Sequence, residues 1–427
     1  MAADELADKL SVEICKRLGV LPPLLPYSDC TIVRVPAELR NVNEKAYEPV
    51  VLAIGPYHRG KNHLMAMEEH KLHYLKLLLE RRGENNVTRY LNTMRTLEER
   101  ARKCYTQPIG LETDQFVEMM LLDSCFITEL LRKYRRPELR DVNDPIFNLS
   151  WMTKKLARDL LLVENQIPFF VLQEFSGMTL MPGEEKLFRP MIYSFFRILI
   201  PGHYCGQYSD NSVQEIKHLL GFIHDSWLPS PSGMRSPEIV TESCDWDLIR
   251  CATELKEAGI KFMEVKGDSL FDIRFDNGTL QIPRLIIEDD TESFLRNLIV
   301  YEQFSRDDNL NYVVDYMNFM DCLINSPKDV ELLCQHGIIH NWLGDDEVVA
   351  NMFNRLGDFV MVSDHNYYSE IFCNVNKHCG RRWNKWMAHL RHKYFNNPWA
   401  LISFLAALSL LLLTSAQTLF TVLAYFQ

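Results

Sequence analysis

Residues 156–175 read LARDLLLVENQIPFFVLQEF, an almost wholly apolar run with one polar trio, Glu164-Asn165-Gln166, set inside it. The run predicts a core helix that Pro168, which lacks an N–H and crowds the preceding turn, tightens or kinks. Polar side chains at such a place must be capped or hydrogen-bonded, since each one left unpaired costs about 1–3 kcal/mol. Glu164, Asn165 and Gln166, and with them Arg40, are therefore expected to hold a core together rather than bind a ligand. The neighbouring segments are mostly helical as well. The expected class is α+β: a predominantly α-helical globular domain with small β-hairpin elements, plus one C-terminal transmembrane helix.

Towards the N-terminus, CTIVRVPAELR at 30–40 predicts a short strand ending at Pro36, and 49–55 a second one bounded by turn residues. Residues 63–82, 88–104 and 114–133 carry apolar side chains at helical spacing. In the last of these Phe116, Met119, Met120, Leu122, Phe126 and Leu130 make a wide face to bury. Towards the C-terminus, Phe271, Ile273 and Phe275 alternate into Asn277-Gly278 and out through Leu280 and Ile282. That is a hairpin signal, because Asn-Gly supplies the positive φ angles of a two-residue turn. Helices are predicted at 246–258, 291–304, 311–323, 327–335 and 346–356. A Pro/Ser-rich stretch at 229–245 reads as the linker between an N-terminal half, 1–228, and a C-terminal half, 246–376.

The chain closes on WALISFLAALSLLLLTSAQTLFTVLAYF, residues 399–426, without a charged residue. As a helix it would reach roughly 40 Å, enough to cross a hydrocarbon core of about 30 Å. Trp399, Leu401, Leu411, Phe420 and Phe426 mark this expected span. Ahead of it, the basic amphipathic segment 377–398 presents Arg381, Arg382, Lys385, Arg391 and Lys393 to anionic lipid and keeps its flank cytoplasmic. The expected localisation is a single-pass membrane protein of the plasma membrane with a cytoplasmic domain, the lipid bilayer being one partner. Three N-glycosylation acceptors, Asn86, Asn148 and Asn277, mark the alternative, an extracellular receptor domain of opposite topology. The N-terminal MAADELADKL has no long apolar run and does not read as a secretory signal. Eleven scattered cysteines without a CxxC suit reduced thiols better than a disulfide framework. A net charge of −11 argues against a nucleic-acid partner, because phosphate contacts need a positive face.

One stretch has catalytic spacing. Gly55-Pro-Tyr-His-Arg-Gly-Lys61 matches the phosphate-loop pattern GxxxxGK, and a nucleotide-dependent enzyme would use Gly55, Gly60 and Lys61 for cofactor binding. Yet Asn62 stands where a Ser or Thr hydroxyl would hold magnesium, and Pro56 removes one N–H from the phosphate cradle. His58, His63, His70 and His73 lie close in sequence, but a metal site needs three or four converging ligands with outer-shell support. Their Glu-rich surroundings read as a solvated helix face. Cys125, within LLDSCFITELL, reads as a buried, inert thiol. No catalytic constellation emerges, and no cofactor, metal or small-molecule substrate is expected.

An ordered set of motifs adds to this. Arg34-Val-Pro-Ala-Glu-Leu-Arg40, Tyr47-Glu-Pro with Ile54-Gly-Pro-Tyr-His58, and Met67-Glu68 with Lys71 are followed by Leu122-Asp-Ser-Cys-Phe126 and by 159–169 (DLLLVENQIPF). Ala258-Gly-Ile, Asn297-Leu with Glu302-Gln303, Asp329-Val, Gly337-Ile-Ile and Asn397-Pro-Trp complete it. Together they resemble the plant domain-of-unknown-function-247 family over nearly the whole chain. Val163 stands where that family usually has Leu, a swap that leaves packing intact. The resemblance implies a large, mainly helical domain with one C-terminal membrane segment and no established catalytic residues or cofactor. Some members are implicated in self-incompatibility and sex determination. The expected function is thus non-catalytic: a membrane-anchored plant protein acting in protein–protein recognition or signalling with an unknown protein partner.

Overall fold

A computed structural model describes residues 11–18, 31–184, 186–202, 216–228, 247–266, 269–304, 311–362, 366–380 and 398–425. The chain divides into two compact units. The first comprises Met1–Leu199, Tyr208–Ser226 and Ser293–Asp308; the second comprises Ile200–Gln207, Trp227–Glu292 and Asn309–Gln427.

In the first unit, α1 (Met65–Arg82), α2 (Thr88–Lys103) and α3 (Thr113–Arg135) precede α4 (Ser150–Leu160) and α5 (Phe169–Met178). The long α3 is the axis. A capping box between Glu112 and Gln115 fixes its start, and it buries nearly every side chain from Phe116 to Lys133. A helix buried on all sides must pair its polar residues internally. Lys133 accordingly meets Asp144 at 2.9 Å, Arg132 meets Glu184 at 3.0 Å and Glu129 meets Arg81 at 2.7 Å. Around it α1, α2 and α5 close one apolar cluster that includes Leu78, Tyr90, Met94, Met120 and Phe175.

The single kinked helix expected over 156–175 is two helices. α4 stops at Leu160, and α5 begins after Pro168, which sits at the helix entry where its missing N–H removes no ladder bond. The intervening turn is closed by the Asn165 N–H on the Leu162 carbonyl at 3.0 Å. Nor are 31–36 and 49–55 strands; Cys30, where the first was expected to begin, lies outside the described residues. Ile32 makes one isolated bridge to Tyr105, Ala37–Val42 is a short helix, and Val50, Val51, Leu52, Ile54 and Gly55 have their N–H groups taken by side chains instead of a neighbouring strand.

In the second unit β1 (Lys261–Val265), β2 (Arg274–Asp276) and β3 (Thr279–Pro283) form a sheet of order β1-β3-β2. The predicted hairpin is its antiparallel half, turning on Asn277 and Gly278 at φ 49° and 75°, while β1 runs parallel to β3. β4 (Leu285–Ile287) pairs in parallel with β5 (Ile339–Asn341). Helices Tyr312–Leu323, Pro327–Gln335 and Asp346–Leu356 fall where periodicity puts them. The helix expected at 246–258 is only Ala252–Glu257, because Cys251 is extended at ψ 163°.

Mostly helical α+β architecture is thus observed, but its expected membrane span is not supported. The last helix runs Pro398–Tyr425, with side chains described, and exposed, over 402–418. Ser409, Thr414, Ser415 and Thr418 turn their hydroxyls onto carbonyls four residues back at 2.7–2.8 Å. Among the described residues no helix is long and apolar enough to cross a membrane. The transmembrane assignment of Trp399, Leu401, Leu411 and Phe420, and the single-pass plasma-membrane localisation resting on it, are corrected accordingly. Phe426, the linker 229–245 and Arg381, Arg382, Lys385, Arg391 and Lys393 lie outside the described residues. Among the described cysteines Cys15, Cys104, Cys125, Cys251, Cys322, Cys334 and Cys379 are free, as expected of reduced thiols, whereas Cys373 is disulfide-bonded.

Candidate functional site

The most concentrated chemistry in the first unit forms where residues 34–61 meet the turn after α4. Residues 50–55 are irregular chain, with Gly55 at φ +69°, and present N–H groups that a β-neighbour would take in a strand. Side chains take them instead. The buried Asp159 carboxylate accepts from Val50, Val51 and Leu52 at 2.9, 2.7 and 3.0 Å. Asn165 Oδ1 accepts from Ile54 at 2.6 Å, while its Nδ2 donates to the carbonyls of Leu52 and Asp159 at 2.9 and 2.8 Å. Asp123 Oδ2, from α3, accepts from Gly55 at 2.7 Å. Gln166 Nε2 ties the turn to itself through the carbonyls of Leu160 and Leu162 at 2.7 and 2.8 Å.

Gly55 has a steric reason to be glycine. Its φ is +69°, and a Cβ there would lie 2.3 Å from the Gln166 carbonyl oxygen. Gly60, at φ +85°, has open space around it. Gly55, Gly60 and Lys61 do share one loop, as the phosphate-loop spacing requires. The Gly55 N–H, however, already points at a carboxylate, and Lys61 Nζ pairs with Glu48. The strand that should lead into such a loop is absent.

Beside this scaffold runs a ladder of alternating charge. Arg34 meets Glu164 at 3.2 Å, Glu164 meets Arg40 at 2.6 Å, Arg40 meets Glu48 at 2.7 Å, and Glu48 pairs with Lys61. Glu164 is fully buried and also accepts the Val35 N–H at 2.7 Å. Burial raises the Glu48 carboxyl, but Lys61, His58 and Arg40 outweigh it and hold the group below the usual carboxylate range. Burial also opposes the charge on Arg40, and Glu164 and Glu48 overcome it, raising its pKa. Behind the ladder sits His58, 1% exposed, with Nδ1 3.6 Å from Glu48 and Nε2 3.5 Å from Glu164. Burial first, then Lys61, pushes its pKa down to about 4, so the ring is neutral near pH 7. Neither ring nitrogen makes a hydrogen bond.

Below the loop, buried Lys71 from α1 donates to the Ala53 carbonyl and to Asp123, both at 2.6 Å, and to Glu68 at 2.5 Å. Burial pushes the Asp123 pKa upward against the pull of Lys71. From the helix Thr291–Phe304, Asn297 accepts the Val163 N–H at 2.9 Å and donates to the Ala46 carbonyl at 3.0 Å. No group of three or more His, Cys, Asp or Glu arranged to hold a metal occurs among the described residues.

The profile of a plant protein family of unknown function, DUF247, matches residues 32–413. The chain belongs to DUF247. Among curated relatives, the UPF0481 protein At3g47200 of Arabidopsis thaliana is 33% identical over 422 residues, 93% of this chain and 87% of that protein. The Putative UPF0481 protein At3g02645 of the same plant is 23% identical over 482 residues, 91% of this chain and 89% of that one. No solved structure matches significantly. The residues that carried the DUF247 resemblance, among them Arg34, Arg40, Glu48, His58, Lys71, Asp123, Asp159, Glu164–Gln166 and Asn297, fall on this one network. Sequence reasoning found the trio and Arg40, and missed that Asp159, Asp123 and Glu48 are their partners. Common membership in ordered motifs was the available signal.

Proposed function

We propose that this DUF247 chain is a non-catalytic protein acting in protein–protein recognition or signalling. One observation carries the reading: the first N–H of the GxxxxGK stretch, that of Gly55, is taken by Asp123, and the N–H groups leading into it are taken by Asp159 and Asn165. Those carboxylate and amide groups fix a backbone, which is the work of a scaffold that presents a surface. Supporting it, Lys61 is paired with Glu48 and stands on the rim of the network. Cross-linking mass spectrometry on the full chain in plant cells is expected to return a recurrent protein partner. A purified chain that turns over a small molecule would overturn the proposal.

A further inference from the structure

The charge ladder has cations at both ends. Arg34, Arg40 and Lys61 outnumber Glu164 and Glu48, so with His58 neutral the group carries one excess positive charge. Its two carboxylates are held differently. Glu164 is fully buried and pinned by the Val35 N–H, whereas Glu48 keeps 29% of its side chain exposed and is held by Arg40 and Lys61. If Glu48 swings outward, Arg40 stays in place through its other nitrogen on Glu164. Arg40 and Lys61 would then face a vacated position, with Arg34, 37% exposed, close by on Glu164.

His58 supplies the second observation. A neutral imidazole offers one donor and one acceptor, but the two carboxylates beside it offer acceptors only. One ring nitrogen therefore lacks a donor, and neither makes a hydrogen bond in a site 1% exposed. A hydrogen phosphate or phosphate monoester brings anionic oxygens that suit Arg and Lys, and in its protonated form an O–H for that nitrogen.

We propose that Arg40 and Lys61 form an anion seat that Glu48 closes from within, and that a phosphate group enters it by displacing the Glu48 carboxylate. This names the chemistry of the partner within the recognition reading and rests on it. Phosphate affinity is read by titration and partner capture by cross-linking, so a failed seat with a partner still captured overturns the seat alone, and the two fail separately.

The test titrates the full chain with inorganic phosphate and, in a second arm, with a phosphoserine peptide. Glu48→Gln keeps the shape and removes the internal charge, so phosphate should bind it roughly tenfold more tightly than the wild type. Adding Lys61→Gln to that variant should abolish the gain, and Lys61→Gln alone should weaken binding, independently of whether Glu48→Gln folds. Tighter binding of the peptide assigns the group to a partner protein, and equal binding assigns it to the free ion. Equal phosphate affinity in wild type and Glu48→Gln, or wild-type affinity in Lys61→Gln, would overturn the seat.

Discussion

Replacing Asn165 tests the network at its most exposed logical point, because all three of its hydrogen bonds go to backbone. Asn165→Ala leaves the Ile54 N–H and the Leu52 carbonyl unpaired in a dry interior, while the Asp159 carbonyl keeps the Leu162 N–H at 3.3 Å. At about 1–3 kcal/mol per orphaned group, with some relaxation, the loss should be about 4 kcal/mol, a large part of a total stability of roughly 5–15 kcal/mol. Asn165→Asp is the sharper variant. It keeps the shape and the Ile54 bond, but turns a donor into an anionic oxygen facing two carbonyl oxygens at 2.8–2.9 Å, with Asp159 nearby. The aspartate should therefore cost at least as much as the alanine. Thermal unfolding of the full chain reports the loss, and amide hydrogen exchange at Leu52 and Ile54 locates it. An aspartate variant within about 1 kcal/mol of wild type would refute the reasoning, since surface-like tolerance is incompatible with three buried backbone bonds.

Gly55→Ala should abolish or severely weaken folding, because a left-handed φ costs about 1–2 kcal/mol and the Gln166 carbonyl must also move. Gly60→Ala, with the same φ problem and open space, should cost only about 1 kcal/mol in a parallel melt. His224 gives a pH dependence. Burial opposes its charge, but Asp225 and Glu302, at 3.0 and 2.8 Å, raise its pKa to about 9. A raised folded pKa means stability fully present below the unfolded value of about 6.5 and lost as pH rises through 9, about 3 kcal/mol in all. Unfolding midpoints from pH 6 to 9.5 should fall in wild type and stay flatter in His224→Gln.

How much of this was legible depended on where each signal resides. The helices of the first unit and the Asn277-Gly278 hairpin declare themselves through local period and turn chemistry. β1 and β5 do not, because short parallel pairings are set by distant partners: Lys261 by Thr279 and Ile339 by Leu285. The polar trio was read correctly as core, yet the helix around it was not. An apolar run is the same in a helix and in a buried turn, and what distinguishes them is Asn165 and Gln166 bonding the carbonyls of Asp159, Leu160 and Leu162. The GPYHRGK loop misleads for a related reason. Its spacing is local, whereas Asp123 and Asp159, which occupy neighbouring N–H donors, arrive from 68 and 107 residues away. The C-terminal run shows the limit of composition, since hydropathy alone led to a span that the described helix does not support.

The central claim is that this network holds a backbone and performs no chemistry. A magnesium-dependent hydrolysis assay with ATP and GTP on the purified full chain, run beside Lys61→Ala, tests it most directly. The account predicts no phosphate release above the protein-free control from either protein. Release by the wild type that disappears in Lys61→Ala would contradict it.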